Sequence, residues 1–546
     1  MALSEALLLR LESWLQQIGF AKGNPFAIGE AARESQLLPE FFVDTGYYDL
    51  IWGNPRVPQS TLVFAPRGSG KTAYRVMVQN QCYPLSAHSD VLAILYTSFD
   101  IFFQPHLISQ LARIDLHIKA ILNKGLYALL NTLCQKQEMV NSIFPPQRCR
   151  LAWFYRTFAP QALSPIELLE RIQAIEPDFH PPWESFRESV RKSNLRQPLA
   201  YANLLGNPVL QLLADLVDCV PEPLETQLSP AQIFTEFIQE VQRSGIRAIY
   251  ILVDRLDEIP ETANSPQIIV ELLEPLLANL TLMETPGVAF KVFLPHLALE
   301  AIKASPSIRL DRLRTYEVVW TDALLSEMLR KRLVAYSEGR IRSLAQISAA
   351  SLTETIDQEI VRVADGSPRR LLRMGELLFL QHIRKTDQES LLLNENDWRK
   401  GHCAFFKEYM PLLSVDKSAP QVFVGSRRVF LTPLEHKFLL ALYNSKGVCD
   451  KERLVNKVWN VEEGVTDQAI SRLVRRIREK IEPFPSAPLY LITEHSFGFR
   501  LEHVDWVSSQ KVEANHGTQQ KPATNPSGTQ DKFHELTRKR EGNSCN

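Results

Sequence analysis

The segment Leu62-Val63-Phe64-Ala65-Pro66-Arg67-Gly68-Ser69-Gly70-Lys71-Thr72 constrains this chain more than any other. Apolar residues run into a turn carrying two glycines, and Ala73-Tyr74-Arg75-Val76-Met77-Val78 continues as a helix. Glycines at 68 and 70 let the backbone curl so that its N–H groups point inward. The helix N-terminus adds its dipole, and strand, turn and helix together make an anion cradle. Ala65, Pro66, Arg67, Gly68, Ser69, Gly70, Lys71 and Thr72 are its candidate lining. Lys71 is expected to reach the β- and γ-phosphates of a nucleotide, and the Thr72 hydroxyl to ligate Mg²⁺. Ala65 stands where the pattern G-x-x-x-x-G-K-S/T begins with glycine.

Such a cradle needs a partner acid at the end of a neighbouring strand. Residues 248–253 are apolar and lead into Asp254, with Asp257 and Glu258 just beyond. Asp254 is the candidate metal-facing acid; Asp257 or Glu258 could polarise an attacking water as general base. Apolar runs recur at 62–65, 91–96, 248–253 and 288–294, the last interrupted only by Lys291. They do not alternate with polar residues, which fits strands buried on both faces of a parallel α/β sheet.

The chain has 546 residues, too many for one core, with 61 basic and 62 acidic residues. A nucleic-acid footprint must therefore be local. Its 7 cysteines are scattered without a C-x-x-C pair, which argues against a disulfide scaffold or zinc ribbon and for a reduced, cytoplasmic protein. No apolar run is long enough to cross a bilayer, so no membrane partner is expected. The expected divisions are 1–60, an N-terminal helix and lead-in; 61–320, the α/β domain with a helical insertion at about 104–245, broken at Pro145-Pro146 and Pro181-Pro182; 321–415, a helical lid; 416–504, a smaller α+β module; and 505–546, a disordered polar tail.

Residues 20 to 390, roughly, resemble the large P-loop group that includes AAA-type origin-recognition ATPases and STAND signalling ATPases. The resemblance rests on residues 65–72 as Walker A, residues 249–254 as Walker B, and the D-x-x-D-E acids at 254, 257 and 258. It implies ATP and Mg²⁺ as ligands. Many AAA members carry Glu directly after the Walker B Asp; Arg255 stands there, so slow hydrolysis is expected. Gly366-Ser367-Pro368-Arg369-Arg370 opens a helix with Ser367 as N-cap and Pro368 at its first position. It resembles the group's sensor-2 element, which implies that Arg369 or Arg370 touches phosphate from the lid.

Residues 421–503 switch to short strands, three helices and a final hairpin. In the third helix, Ile470, Leu473, Val474, Ile477 and Ile481 form an apolar stripe, and Gln468, Arg472, Arg475 and Arg476 fall opposite. That face suits a major groove, because Arg can fork onto guanine and both types grip phosphate. The module resembles the OmpR/PhoB-type winged helix through Leu431-Thr432-Pro433-Leu434-Glu435, Val458-Trp459, residues 475–481 and Gly498-Phe499-Arg500-Leu501. By that resemblance residues 466–481 are the recognition helix, 489–501 the wing, and Arg478 and Arg500 join the DNA-binding candidates. The expected fold is thus an α/β P-loop NTPase domain with helical insertion and lid, followed by a winged helix. The expected function is an ATP-gated transcriptional regulator of double-stranded DNA, with nucleotide-dependent self-association open. The alternatives are a STAND-type sensor or defence ATPase whose winged helix senses or contacts protein, and an initiator-like ATPase loading other proteins onto DNA.

Overall fold

The computed structural model describes residues 5–27, 31–83, 86, 89–103, 113–158, 212, 228–384, 390–409, 411–425, 427–459, 465–483, 485, 488–494 and 497–505. Pro181-Pro182, most of the expected insertion, the wing tip at 495–496 and the tail beyond 505 lie outside them. The chain divides into two compact units, Met1–Phe405 and Phe406–Asn546.

The first unit is built on a five-stranded sheet: β1 (Thr61–Ala65), β2 (Val91–Tyr96), β3 (Ala248–Val253), β4 (Val288–Pro295) and β5 (Arg314–Glu317), in spatial order β2-β3-β4-β1-β5. Every pairing is parallel, so all carboxyl ends share one edge. Every residue of β1, β3 and β4 is buried, including Thr61 and Lys291, the two polar residues among these otherwise apolar strands. Each fully buried Val, Leu or Ile side chain contributes roughly 1.5–3 kcal/mol. The fifth strand was not visible as an apolar run: Arg-Thr-Tyr-Glu sits at the sheet edge and is largely exposed.

Helix α1 (Lys71–Asn80) leaves β1 through the glycine turn. The described part of the insertion is helical and covers the sheet through α2 (Ile114–Gln135), α3 (Pro145–Phe158) and α4 (Pro230–Arg243). The helical run is broken at Pro145-Pro146: one helix ends at Asn141, and α3 starts on Pro145, at a position where a missing N–H costs nothing.

Helices α5 (Asp322–Tyr336) and α6 (Pro368–Ile383) follow the sheet. The N-terminal helix, Glu5–Ile18, packs on its own unit: Trp14 meets the Phe379 ring edge-on at 4.9 Å. Pro25, Glu34 and Phe41 are tied to α5 by buried Arg332, which pairs with Glu34, donates to the Pro25 carbonyl, and stacks 4.5 Å from the Phe41 ring.

The second unit holds two small antiparallel sheets around three helices. One contains β6 (Leu413–Val415), β7 (Gln421–Val424) and β8 (Arg427–Phe430); the other contains β9 (Cys449–Asp450), β10 (Leu491–Glu494) and β11 (Gly498–Leu501). The helices are α7 (Pro433–Ser445), α8 (Lys451–Val458) and α9 (Asp467–Ile481). Each starts on a side-chain cap, at Thr432, Asp450 and Thr466 respectively. This is a winged-helix domain.

Candidate functional site

The glycine turn lies at the carboxyl edge of the parallel sheet, where the order of connections reverses between β1 and its neighbours. Open α/β sheets bind ligands at such places. Gly68 has φ +84° and Gly70 φ +86°, a region that side-chain-bearing residues rarely adopt. Ser69 is buried between them, and Lys71 begins α1. The Lys71 ammonium donates to the Ala65 and Pro66 carbonyls at 3.3 Å each and lies 3.3 Å from Asp257. It is thus drawn back against the loop and held by three oxygens.

Asp254 follows β3 and is 1% exposed. Its carboxylate accepts from Arg75 Nε at 3.1 Å, and the Thr72 hydroxyl and the Arg255 backbone N–H lie near enough to favour its charged form. Burial pushes this carboxyl up and the neighbouring Arg75 cation pulls it back. Thr72 and Asp254, the residues that would hold Mg²⁺, are therefore neighbours, and a hydroxyl beside a carboxylate is a fitting oxygen pair for that ion. The two base candidates differ: Asp257 is buried beside Lys71, whereas Glu258 is exposed and 3.7 Å from Arg255. Arg255 holds φ +71°, a strained position for arginine, directly after Asp254.

The start of α6 packs on the glycine turn. Ser367 caps α6, and the Arg369 backbone N–H donates to the Gly68 carbonyl at 3.3 Å. A Cβ on Gly68 would stand 2.8 Å from Arg369 Cβ, so glycine is required there on two counts. Arg370 pairs with Asp365 at 3.3 Å. Arg67 and Pro66 are exposed at the mouth.

Sequence reasoning missed Arg75 and Trp320. Trp320 follows β5 and donates its indole N–H to the Ser69 carbonyl at 2.9 Å. No periodicity marks it; an isolated tryptophan just before the Thr321 helix cap was the available signal.

In the second unit, α9 buries Ile470, Leu473, Val474, Ile477 and Ile481, and exposes Gln468, Arg472, Arg475 and Arg476. Arg475 is 82% exposed and pairs along the helix with Glu479 at 2.9 Å. Arg478 stands apart: its guanidinium donates to the Leu491 carbonyl at 2.8 and 3.1 Å and to Thr493 Oγ1 at 2.7 Å. It ties α9 to the hairpin. Arg500 pairs with Glu494 at 2.5 Å and with Glu502, both on the hairpin. Lys480 pairs with Glu435 of the α7 capping box at 2.7 Å, fixing the far end of α9.

Among the described residues no helix is long and apolar enough to cross a membrane.

The winged-helix assignment agrees with comparison to known proteins. Residues 426–501 match the family described as "Transcriptional regulatory protein, C terminal". The chain is 34% identical over 82 residues to the alkaline phosphatase synthesis transcriptional regulatory protein SphR of Synechococcus elongatus, covering 15% of this chain and 32% of that one. It is 32% identical over 89 residues to the KDP operon transcriptional regulatory protein KdpE of Escherichia coli, covering 16% and 40%. The chain thus spans two-fifths or less of the length of these relatives. A solved structure of the Aeropyrum pernix ORC1 protein in complex with DNA aligns over 90% of this chain and 93% of its own at 10% identity, with a TM-score of 0.28, too low to bear on the fold.

Proposed function

We propose that this chain is an ATP-binding, DNA-binding transcriptional regulator in which a P-loop ATPase module of AAA/STAND type gates a winged-helix output domain. Double-stranded DNA is its partner, ATP and Mg²⁺ its ligands, and turnover is slow. What carries the reading is one juxtaposition: Lys71, Thr72, Asp254 and Asp257 converge at a glycine turn, in the same chain as a helix with a solvent-facing arginine ridge.

The chemistry follows from these side chains. Loop N–H groups and the α1 N-terminus would bind phosphate, with Lys71 leaving its carbonyl partners to reach it. Magnesium, when bound, would neutralise charge on the β- and γ-phosphate oxygens, held by Thr72 and, through water, Asp254. Asp257 is placed better than Glu258 to orient a water, since it already faces Lys71. Arg369 would add charge from the lid. On DNA, Gln468, Arg472, Arg475 and Arg476 would face the groove.

The test is DNA binding over a salt series without nucleotide, with ADP, and with a non-hydrolysable ATP analogue, beside Lys71→Ala. Nucleotide-dependent affinity that Lys71→Ala abolishes is the expected result. The substitution should weaken triphosphate binding by roughly 1.5–3 kcal/mol, the worth of a charged hydrogen bond. Salt-sensitive DNA binding indifferent to nucleotide would remove the gating. Binding to protein with no affinity for any duplex would favour a sensor module instead.

A further inference from the structure

Arg75 is buried, permanently charged, and has no part in the function proposed so far. It lies three residues beyond Thr72 on α1, so both side chains face Asp254 from one side of the helix. The Arg75 side chain is 5% exposed and that of Asp254 1%, so water and salt screen the pair little. A guanidinium does not lose its proton in a protein. Its Nη1 is held by Gln79 Oε1, one turn further along α1, at 2.5 Å. Asp254 thus accepts from a paired cation, with the Thr72 hydroxyl and the Arg255 N–H close by, before any metal arrives.

Magnesium gives up its water reluctantly and binds nucleotide sites through one or two carboxylates plus phosphate oxygens. Its hold on the protein depends on uncompensated negative charge. Here the charge on the metal-facing acid is already matched, and the matching cation adds to the positive field that Lys71 and the α1 N-terminus present to phosphate.

We propose that Arg75 is a built-in cation at Asp254, a positioning residue that lets this site take a nucleoside triphosphate with little help from a divalent ion. The proposal rests on the nucleotide-binding reading above and specifies how that site is regulated: metal adds little to binding and is left to govern turnover.

The experiment titrates the full chain with a fluorescent ATP analogue in EDTA and in millimolar Mg²⁺, beside Arg75→Gln and Arg75→Lys. For the unaltered chain and Arg75→Lys, affinity should differ less than about threefold between the two conditions. For Arg75→Gln, Mg²⁺ should tighten binding at least about tenfold, because Asp254 is again free to attract metal. Strong Mg²⁺ dependence in the unaltered chain overturns the proposal, and so does an Arg75→Gln response equal to it. If Arg75→Gln fails to fold, judged by circular dichroism, the unaltered chain and Arg75→Lys decide the matter. No binding of the analogue in either condition overturns the nucleotide reading itself, and this inference with it; binding with the wrong metal dependence overturns only the inference.

Discussion

The glycine-loop site and the arginine helix carry similar cations in opposite states. In the first unit Lys71 and Arg75 are buried and committed, to Asp257 and Asp254 respectively. In the second, Arg472, Arg475 and Arg476 project into water, and only Arg475 is shown with an ion-pair partner. The difference matches the ligands proposed for each. A triphosphate enters a preorganised pocket whose charges must not collapse when it is vacant, so internal acids hold them apart. A duplex is met at a surface, where exposed cations release counterions and give salt-dependent affinity. Charge inward requires exact partners, and charge outward requires a rigid platform. Arg478 and Lys480 belong to the platform: they lie on the same helix as the exposed arginines, but bind the β10 backbone and Glu435.

The largest expected effect tests how tightly the first unit is sealed. His117 is fully buried, hydrogen-bonded to Tyr96 Oη and the Leu272 carbonyl at 2.7 Å each. Burial lowers its pKa to about 4. Between the ordinary value near 6.5 and about 4, the unfolded chain takes up a proton that the folded unit refuses. Stability is therefore full above about 6.5 and falls as pH drops toward 4, by about 3 kcal/mol from this residue. His402, likewise lowered by burial to about 4, adds a loss of the same sign. Denaturant unfolding across this range should show the decline, and His117→Gln should flatten it by His117's share. An unchanged slope would mean that the interior admits a charge, and the contrast with the exposed helix would weaken.

Next in size is Gly68→Val. The positive φ and the 2.8 Å approach to Arg369 Cβ make a side chain costly, by roughly 1–3 kcal/mol. Thermal unfolding should shift accordingly. Trp320 fluorescence should change as well, since its indole bonds to Ser69 in the same turn. Full stability with unaltered fluorescence would show that the lid does not rest on the loop.

What could be read from sequence follows the same division. Apolar runs disclosed β1 to β4 because strands buried on both faces are mostly apolar, Lys291 being the buried charge within them, and the caps at Ser367 and Asp450 were legible because their chemistry is local. Arg-Thr-Tyr-Glu gave no sign of β5, since an edge strand buries little. Arg75 was invisible for a different reason. Helical spacing marks which residues are apolar; it cannot reveal a charged residue whose partner lies 179 positions away. The same limit hid the partners of Arg478 and Arg500: their acceptors, on β10, the hairpin and its flank, exist only once the hairpin has formed.

Arg478 against Arg476 sharpens the comparison within one helix. Arg478→Ala should cost the second unit roughly 1–2 kcal/mol of stability, because the Leu491 carbonyl and Thr493 lose a donor. Its effect on the salt slope of DNA binding should be small. Arg476→Ala or Arg472→Ala should leave stability within about 0.5 kcal/mol and lower the salt slope by about 1 each, weakening all duplexes alike if the contact is to phosphate. Arg475 must first leave Glu479, an exposed pair worth about 0.3–0.5 kcal/mol, so its removal should cost affinity slightly less than theirs. The four variants measured at several salt concentrations separate platform from contact. If Arg478→Ala lowered the slope while Arg472→Ala and Arg476→Ala did not, the groove-facing side of the helix would have to be the hairpin side, and the division between held and free cations would fail where it is most directly visible.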